Sequence, residues 1–249
     1  MNEAITKVGV VGLGVMGFDI AFLCAMKGCR TLVYDAAPAA MNSLDQRREQ
    51  TIDRLQKRNH ISISEIENLR ALLNPIADLA GMAKCDLVTE AVSENLKTKL
   101  AVYRGLREAQ FSGILTTNTS SVSRATLLKD DVVEPKMFAL THFFNPVLYT
   151  QMVEVVQGDM ERSAGQTLLN FLKALGRDPV ATQDISGFVS NGILMIYAVM
   201  AARLLECGAR IEQVDQAAKE LKLLPPLISF DSWKPSIVED VTRIMRELR

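Results

Sequence analysis

The chain has few of the residues that would commit it to an extracellular, metal-dependent or polyanion-binding role. Four cysteines occur among 249 residues, Cys24, Cys29, Cys85 and Cys207. They show no CxxC spacing, and three sit in apolar or helical surroundings, which argues against a metal site and favours reduced thiols in a cytoplasmic setting. An excess of either charge is lacking too. Lys and Arg total 28 against 29 Asp and Glu, a formal net charge of −1, so no global field attracts nucleic acid or an anionic membrane, and an anionic ligand needs a local site. The opening Met-Asn-Glu-Ala-Ile-Thr runs straight into a strand pattern, without the basic segment, apolar stretch and cleavage site of a secretory signal. The most apolar run, Phe188 to Leu205, contains Ser190, Asn191 and Arg203 and reads as a buried or interface helix rather than a membrane span. Internal repeats, low-complexity tracts and long polar linkers are likewise missing.

What is present is an alternation of short β-branched runs with helical segments. A chain of this length suits one large domain with a smaller appendage. Lys7 to Gly12 is a strand ending in glycine, and Met16 to Lys27 follows with helical periodicity closed by Gly28. Thr31 to Asp35 is the second strand, and further strands are expected at Asp86 to Val92, Ile114 to Thr117, Met137 to Phe143 and Val153 to Val156. This order predicts an α/β fold, a Rossmann-type doubly wound and mostly parallel sheet. Between the second strand and Asn74 lies a long helical excursion, about 38–73, in which Met41, Leu44, Ile52 and Leu55 share one face. Arg47, Arg54 and Arg58 fall on an adjoining face, either as a solvated helix side or as phosphate contacts. After Pro179-Val-Ala-Thr the period turns helical, predicting a small all-α C-terminal domain with helices over roughly 187–206, 211–222 and 236–248. The boundary falls near 184–187, giving domains of 1–185 and 186–249.

The first helix opens on Gly12-Leu-Gly-Val-Met-Gly17. A glycine pattern of this kind is weak alone, but here it follows a strand, opens a helix, and precedes Asp35 at the end of the next strand. Gly12 permits the tight turn, Gly14 lets a pyrophosphate approach backbone amides, and Gly17 lets the helix pack on the sheet. Val15 and Met16 complete the cofactor turn. Asp35 accepts hydrogen bonds from ribose hydroxyls and repels a 2′-phosphate, and Ala36 and Ala37 bring no compensating arginine, so NAD is preferred over NADP. FAD is disfavoured by the short chain and the lack of a second flavin motif. His142, one of two histidines, lies in Leu140-Thr-His-Phe-Phe-Asn-Pro146. An imidazole among apolar residues can pass a proton while a nucleotide held by the turn accepts a hydride, the division of labour of an alcohol dehydrogenase.

Five segments occur in a telling order: Glu90-Ala-Val-Ser-Glu-Asn-Leu-Lys-Thr-Lys99, Thr117-Asn-Thr-Ser-Ser121, Thr141-His-Phe-Phe-Asn-Pro146, Met152-Val-Glu-Val-Val156 and Gly187-Phe-Val-Ser-Asn191. Together, from about residue 7 to about 215, they resemble the L-3-hydroxyacyl-CoA dehydrogenase family, which includes 3-hydroxybutyryl-CoA dehydrogenases. The resemblance implies that His142 is the general acid/base at the substrate's 3-hydroxyl, and that Glu154 orients the imidazole and favours its protonated form. It implies that Ser120 and Asn191 hold the substrate hydroxyl or thioester carbonyl, that Glu94, Lys99 and Asn145 lie near the nicotinamide half of NAD, and that Thr51 and Arg58 meet CoA.

Taken singly, Ser120 and Asn191 read as helix caps, Glu154 as an exposed strand carboxylate, and Lys99 and Glu94 as ordinary solvated side chains. Two departures stand out. Gly192 follows Asn191 where the family usually has arginine, and the C-terminal helical part is shorter than the family's. The implied activity is NAD-dependent interconversion of a 3-hydroxyacyl thioester and its 3-oxo form in fatty acid metabolism. CoA is the default carrier, and an acyl carrier protein or a free 3-hydroxy acid is the alternative. A degenerate NAD-binding sensor subunit is a further alternative. The related β-hydroxyacid dehydrogenases rank behind, because they use a helical lysine where this chain offers Asn191. A homodimer pairing through the apolar C-terminal helices is expected.

Overall fold

The computed structural model describes residues 4–120, 122–185 and 187–231, and these fall into two compact units divided between Asp184 and Ile185. The helix expected over 236–248 lies outside the described residues.

The first unit begins with β1 (Lys7–Val11), the glycine turn, and α1 (Val15–Met26). The β-branched run of β1 is fully buried from Val8 to Val11, as a central parallel strand covered on both faces must be. Nine of the twelve residues of α1 are buried, Ile20 to Met26 without a break. A helix so apolar all round belongs inside the protein, between the sheet and other helices, rather than at its surface. Next come β2 (Arg30–Tyr34), α2 (Pro38–Asn42), α3 (Leu44–Gln56), α4 (Ile63–Leu72) and β3 (Leu73–Pro75).

The helical excursion is therefore three helices that return the chain to the sheet edge, where Thr31 to Val33 of β2 pair in parallel with Leu73 to Pro75. Strand β3 is too short and too proline-bound to announce itself in sequence. Leu44, Ile52 and Leu55 are buried as their spacing predicts, while Met41 sits on the separate helix α2 and only partly packs on the core. The start of α4 is fixed by a capping box in which Ser62 Oγ accepts from the Glu65 amide and Glu65 accepts from the Ser62 amide.

The remaining elements are β4 (Leu87–Glu90), α5 (Leu96–Glu108), β5 (Ile114–Asn118), α6 (Arg124–Leu127), β6 (Phe138–Phe143), β7 (Met152–Val156), α7 (Arg162–Ala174) and β8 (Asp178–Ala181). The sheet order is β3-β2-β1-β4-β5-β6-β7-β8. All neighbours pair in parallel except β6 with β7, which are antiparallel. The expected doubly wound, mostly parallel sheet is what forms, with β3 and β8 added at its two edges. The strand order reverses at β1 and β4, which opens a crevice outside the carboxyl ends of the parallel strands.

The second unit, described by itself, contains α8 (Phe188–Glu206), α9 (Ile211–Glu220) and α10 (Pro226–Asp231). Gly187 adopts a φ of 74° just before α8, in the left-handed region that favours glycine. The buried Asp215 carboxylate of α9 accepts from the Leu227 and Ile228 amides at 2.9 and 3.1 Å, satisfying the open start of α10, a helix the sequence did not suggest. Among the described residues one helix, α8, is long and apolar enough to cross a membrane by length and composition.

Cys24, Cys29 and Cys85 are buried and Cys207 is exposed, all as free thiols. Burial pushes the Cys85 thiol up to about 11 and the Cys24 thiol further still. Cys207 is therefore expected to react rapidly with an aromatic disulfide reagent in the native protein, while the other three react only at the rate of unfolding. A fast phase of more than one thiol per chain would contradict this burial.

Candidate active site

Parallel strands that begin together end together, so β1, β2, β4, β5 and β6 deliver the residues that follow them to one edge of the sheet. That edge receives the glycine turn, Asp35, Ala91 to Glu94, Asn118 to Ser120, and His142.

The glycine turn is shaped by close approach. Gly12 has a φ of 95°, and a Cβ there would meet the Ala91 carbonyl and Val92 amide at 2.7 and 2.8 Å. A Cβ on Gly17 would collide with the Gly12 carbonyl oxygen. Gly14 differs, because a Cβ there would meet nothing within 4 Å. The protein's own packing does not require glycine at 14, which lies over open ground at the amino end of α1. Asp35, half-buried after β2, accepts from the Leu13 amide through Oδ2 at 2.6 Å and from the Ala37 amide through Oδ1 at 2.8 Å. A carboxylate has about four acceptor sites, so two remain for a ribose diol. Turn, helix terminus and carboxylate together fit a dinucleotide whose adenosine ribose lacks a 2′-phosphate.

Arg47 of α3 is half-buried against the same turn. Its Nη1 donates to the Leu13 carbonyl at 2.6 Å and its Nη2 to the Gly14 carbonyl at 3.2 Å, and the guanidinium lies 4.1 Å from the centroid of the Phe18 ring. Arg54 and Arg58 are exposed. Arg58 Nη1 donates to the Tyr149 hydroxyl at 3.3 Å, next to an edge-on contact of His60 with the Tyr149 ring. The three arginines thus divide, one bound to the turn and two at the surface. Thr51 is 6% exposed, turned inward beside Ile52 by the helical period, and has little surface to offer an outside ligand.

A histidine–carboxylate pair comes from the antiparallel exception in the sheet. His142 and Glu154 stand directly opposite one another on β6 and β7, and opposed residues share a face. Nδ1 of His142 lies 2.8 Å from Oε2 of Glu154, with the histidine 8% and the glutamate 2% exposed. Glu154 is therefore not the exposed strand carboxylate of the plain reading. Its acceptor oxygen places the proton on Nδ1, so Nε2 is the nitrogen that Glu154 does not engage. Phe144 covers the imidazole with a ring centroid 4.5 Å away.

Below the edge lies a buried polar cluster. Glu90, at the end of β4, is fully buried and receives Lys99 Nζ at 3.0 and 3.2 Å, Tyr103 Oη at 2.8 Å, Thr117 Oγ1 at 2.6 Å and the Val92 amide at 2.7 Å. Lys99 is also wholly buried and lies 3.3 Å from Glu94 Oε2. Glu94 Oε1 in turn accepts from Thr119 Oγ1 at 2.6 Å and the Ser120 amide at 2.7 Å, with Ser120 Oγ at 3.4 Å. Burial opposes the charge of Glu94, but Lys99 and the Thr119 and Ser120 donors outweigh it and hold the carboxyl below its ordinary value.

Lys99 is thus not a solvated lysine, because α5 turns it inward toward Glu90. Ser120 does not cap the following helix, since Ser123 does so by accepting from the Thr126 amide. Asn118 Oδ1 accepts from the Phe143 amide at 3.1 Å, tying the end of β5 to the strand that carries His142. Asn145 is exposed, joined to Pro146 by a cis peptide bond. Asn191 sits within the first turns of α8, in the second unit, and Gly187 rather than Asn191 is that helix's cap.

The roles of Glu90, Tyr103, Asn118 and Arg47 escape sequence reading. Glu90 and Tyr103 carried one usable signal, a carboxylate and a phenol inside otherwise apolar patterns that must find partners. Arg47 carried its helical spacing with Arg54 and Arg58 but not its partners, and Asn118 carried none, because the partners are backbone groups 33 to 34 and 25 residues away.

Fold and edge define a dinucleotide-binding α/β domain of the dehydrogenase type, with a histidine and carboxylate paired across two strands. Residues 7–185 match the family model described as 3-hydroxyacyl-CoA dehydrogenase, NAD binding domain. The chain belongs to this family, and NAD is its cofactor. It is 32% identical over 220 residues to the fatty acid oxidation complex subunit alpha of Pseudomonas syringae pv. syringae, covering 87% of this chain and 30% of that protein. The chain therefore spans about a third of the length of such relatives. Among solved structures, FadB2 of M. tuberculosis is 31% identical with a TM-score of 0.80, covering 87% of this chain and 77% of that one. The (S)-3-hydroxybutyryl-CoA dehydrogenase PaaH1 of Ralstonia eutropha is 27% identical with a TM-score of 0.89, covering 97% and 87%.

Two outcomes follow from the buried cluster. Lys99→Met leaves Glu90 charged and buried, which is expected to cost about 3–5 kcal/mol in urea unfolding, while Glu90→Gln with Lys99→Met together costs less than the sum of the single changes. A loss below about 1 kcal/mol for Lys99→Met would show the pair to be solvated. Because the folded state holds Glu94 below its ordinary value of 4.5, its contribution is fully present above that pH and is lost as pH falls through the folded value. The stability difference between the wild type and Glu94→Gln should be flat from neutrality to about pH 5 and shrink in more acid solution.

Proposed function

We propose that this protein catalyses the NAD-dependent interconversion of a 3-hydroxyacyl thioester and its 3-oxo form, with CoA as the carrier. The observation that supports this best is the buried His142–Glu154 pair at the sheet edge that also carries the glycine turn and Asp35.

NAD, when bound, supplies the hydride acceptor. The turn from Gly12 to Gly17 holds its pyrophosphate and Asp35 its adenosine ribose, with Glu94 and Asn145 toward the nicotinamide half. His142 takes the proton of the substrate's 3-hydroxyl at Nε2 as C3 becomes a carbonyl carbon, and returns it in the reductive direction. Glu154, fixed at Nδ1, stabilises the imidazolium that forms and keeps the ring in one orientation. Glu154 is a positioning residue in this scheme. Ser120, whose backbone is held by Glu94, meets the substrate oxygen, while Arg58 serves the phosphates of CoA. Residues 1–185 hold the cofactor, and the second unit, which carries Asn191, serves substrate binding and dimerisation. A place in fatty acid oxidation agrees with the name of the Pseudomonas relative, and a cytoplasmic setting with the buried free thiols.

A homodimer completes the proposal. Val189, Ile193, Ile196, Met200 and Leu204 of α8 are 46 to 67% exposed and recur along one face at helical spacing. A one-sided apolar stripe calls for a partner surface, and Arg203 in the same helix suits a water-facing flank better than lipid.

The direct assay is consumption of NADH with acetoacetyl-CoA. His142→Ala should lose roughly two to four orders of magnitude in turnover while keeping its affinity for NADH. A variant with undiminished turnover refutes the acid/base assignment and favours a cofactor sensor. Activity on a carrier-protein thioester or a free 3-hydroxy acid, with none on the CoA ester, would move the carrier assignment. Asp35→Ala should weaken NADH binding without unfolding the protein, and unchanged affinity removes the carboxylate from the cofactor site. Sedimentation should give a dimer at micromolar concentration, against which a monomer would count.

A further inference from the structure

Arg47 holds the glycine turn from α3, 33 to 34 residues further along the chain. The peptide units around Leu13 are gripped from both sides: Asp35 accepts from the Leu13 amide at 2.6 Å, and Arg47 donates to the Leu13 carbonyl at 2.6 Å and to the Gly14 carbonyl at 3.2 Å. Two adjacent carbonyl oxygens are the wrong polarity beside a site for a pyrophosphate, and a guanidinium laid across them neutralises both. Their orientation also sets the amides that follow, since each peptide is a rigid plane whose N–H opposes its C=O. Fixing the Leu13 and Gly14 carbonyls therefore fixes the Gly14 and Val15 amides at the open ground over Gly14.

The guanidinium is itself constrained by the Phe18 ring at 4.1 Å. A planar group with paired donors suits this task better than an ammonium. Burial pushes the Arg47 group down from its usual range while Asp19 and Asp35 favour its charge, as expected for a cation placed where water is partly excluded. Such a charge acts on an anion through less screening than one at the open surface.

We propose that Arg47 is a positioning residue for the dinucleotide. On this view α3 is a third support of the pyrophosphate turn, alongside the glycines and Asp35, and the helical excursion serves the cofactor as well as the acyl carrier. The proposal rests on the dinucleotide reading of the turn and is independent of which carbonyl substrate is reduced.

The test measures NADH affinity by fluorescence and steady-state kinetics for Arg47→Met, Arg47→Gln and Arg47→Lys in the full chain. Arg47→Met should raise the NADH dissociation constant about tenfold, and the KM for the dinucleotide with it, while kcat changes less than twofold and the unfolding midpoint stays near the wild type. Arg47→Gln can bond a carbonyl without charge and Arg47→Lys keeps charge without the fork, so both should fall between. The salt dependence of NADH binding should flatten in the Met and Gln variants and persist in the Lys variant. Met and Gln variants that bind NADH within twofold of the wild type overturn the proposal and leave the dehydrogenase reading intact. A drop in kcat with the KM unchanged overturns it too. If Arg47→Met does not fold, the Gln and Lys variants decide by the same measures. Wild-type protein that binds no NADH overturns this proposal and the dinucleotide reading together.

Discussion

The Glu90 carboxylate is the point on which the rest of the site is hung. It ends β4 fully buried, and four side-chain or backbone groups from three elements converge on it: Lys99 and Tyr103 from α5, Thr117 from β5, and the Val92 amide from the loop that follows β4. A buried carboxylate without such partners would be intolerable, so each donor is held by the need of the charge it satisfies. The consequence is that α5, β5 and the loop after β4 are tied together at the carboxyl ends of the strands, where the ladder stops. The cluster passes this order outward through Lys99 to Glu94, and through Glu94 to the backbone of Ser120. Asn118, next to Thr117, carries it sideways to the Phe143 amide and so to the strand of His142.

The dinucleotide side is ordered by a second, shallower set of contacts. Asp35 and Arg47 close on one residue, Leu13, from opposite directions, and Gly12 is fitted against the backbone of Ala91 so closely that a methyl group has no room. The end of β4 therefore touches both systems, since Ala91 lies against the turn and Glu90 anchors the cluster beneath. Packing of α1 from Ile20 to Met26 leaves its amino end, at Gly14 and Val15, as its exposed part.

The antiparallel strand β7 adds the partner of His142. The register of Leu140 to Phe143 with Val153 to Val156 sets His142 and Glu154 directly opposite one another. The pairing needs no loop to position it, and both strands are buried around it, Val153, Val155 and Val156 included.

The sequence by itself determined the local grammar: β-branched runs closed by glycine, and the GLGVMG turn with Asp35 after the next strand. Turns and periods are near-neighbour properties, so composition and spacing carry them, and His142, Glu154 and Ser120 stood out as candidates because their order along the chain resembles a family. Only the tertiary structure decided that Lys99 is buried on Glu90, that Thr51 faces inward, that Arg47 grips a turn 33 to 34 residues away, and that β3 and β8 complete the sheet. Each depends on groups distant in sequence satisfying a buried charge or an unpaired backbone atom, and a lysine on a helix reads the same whether it meets water or a buried carboxylate.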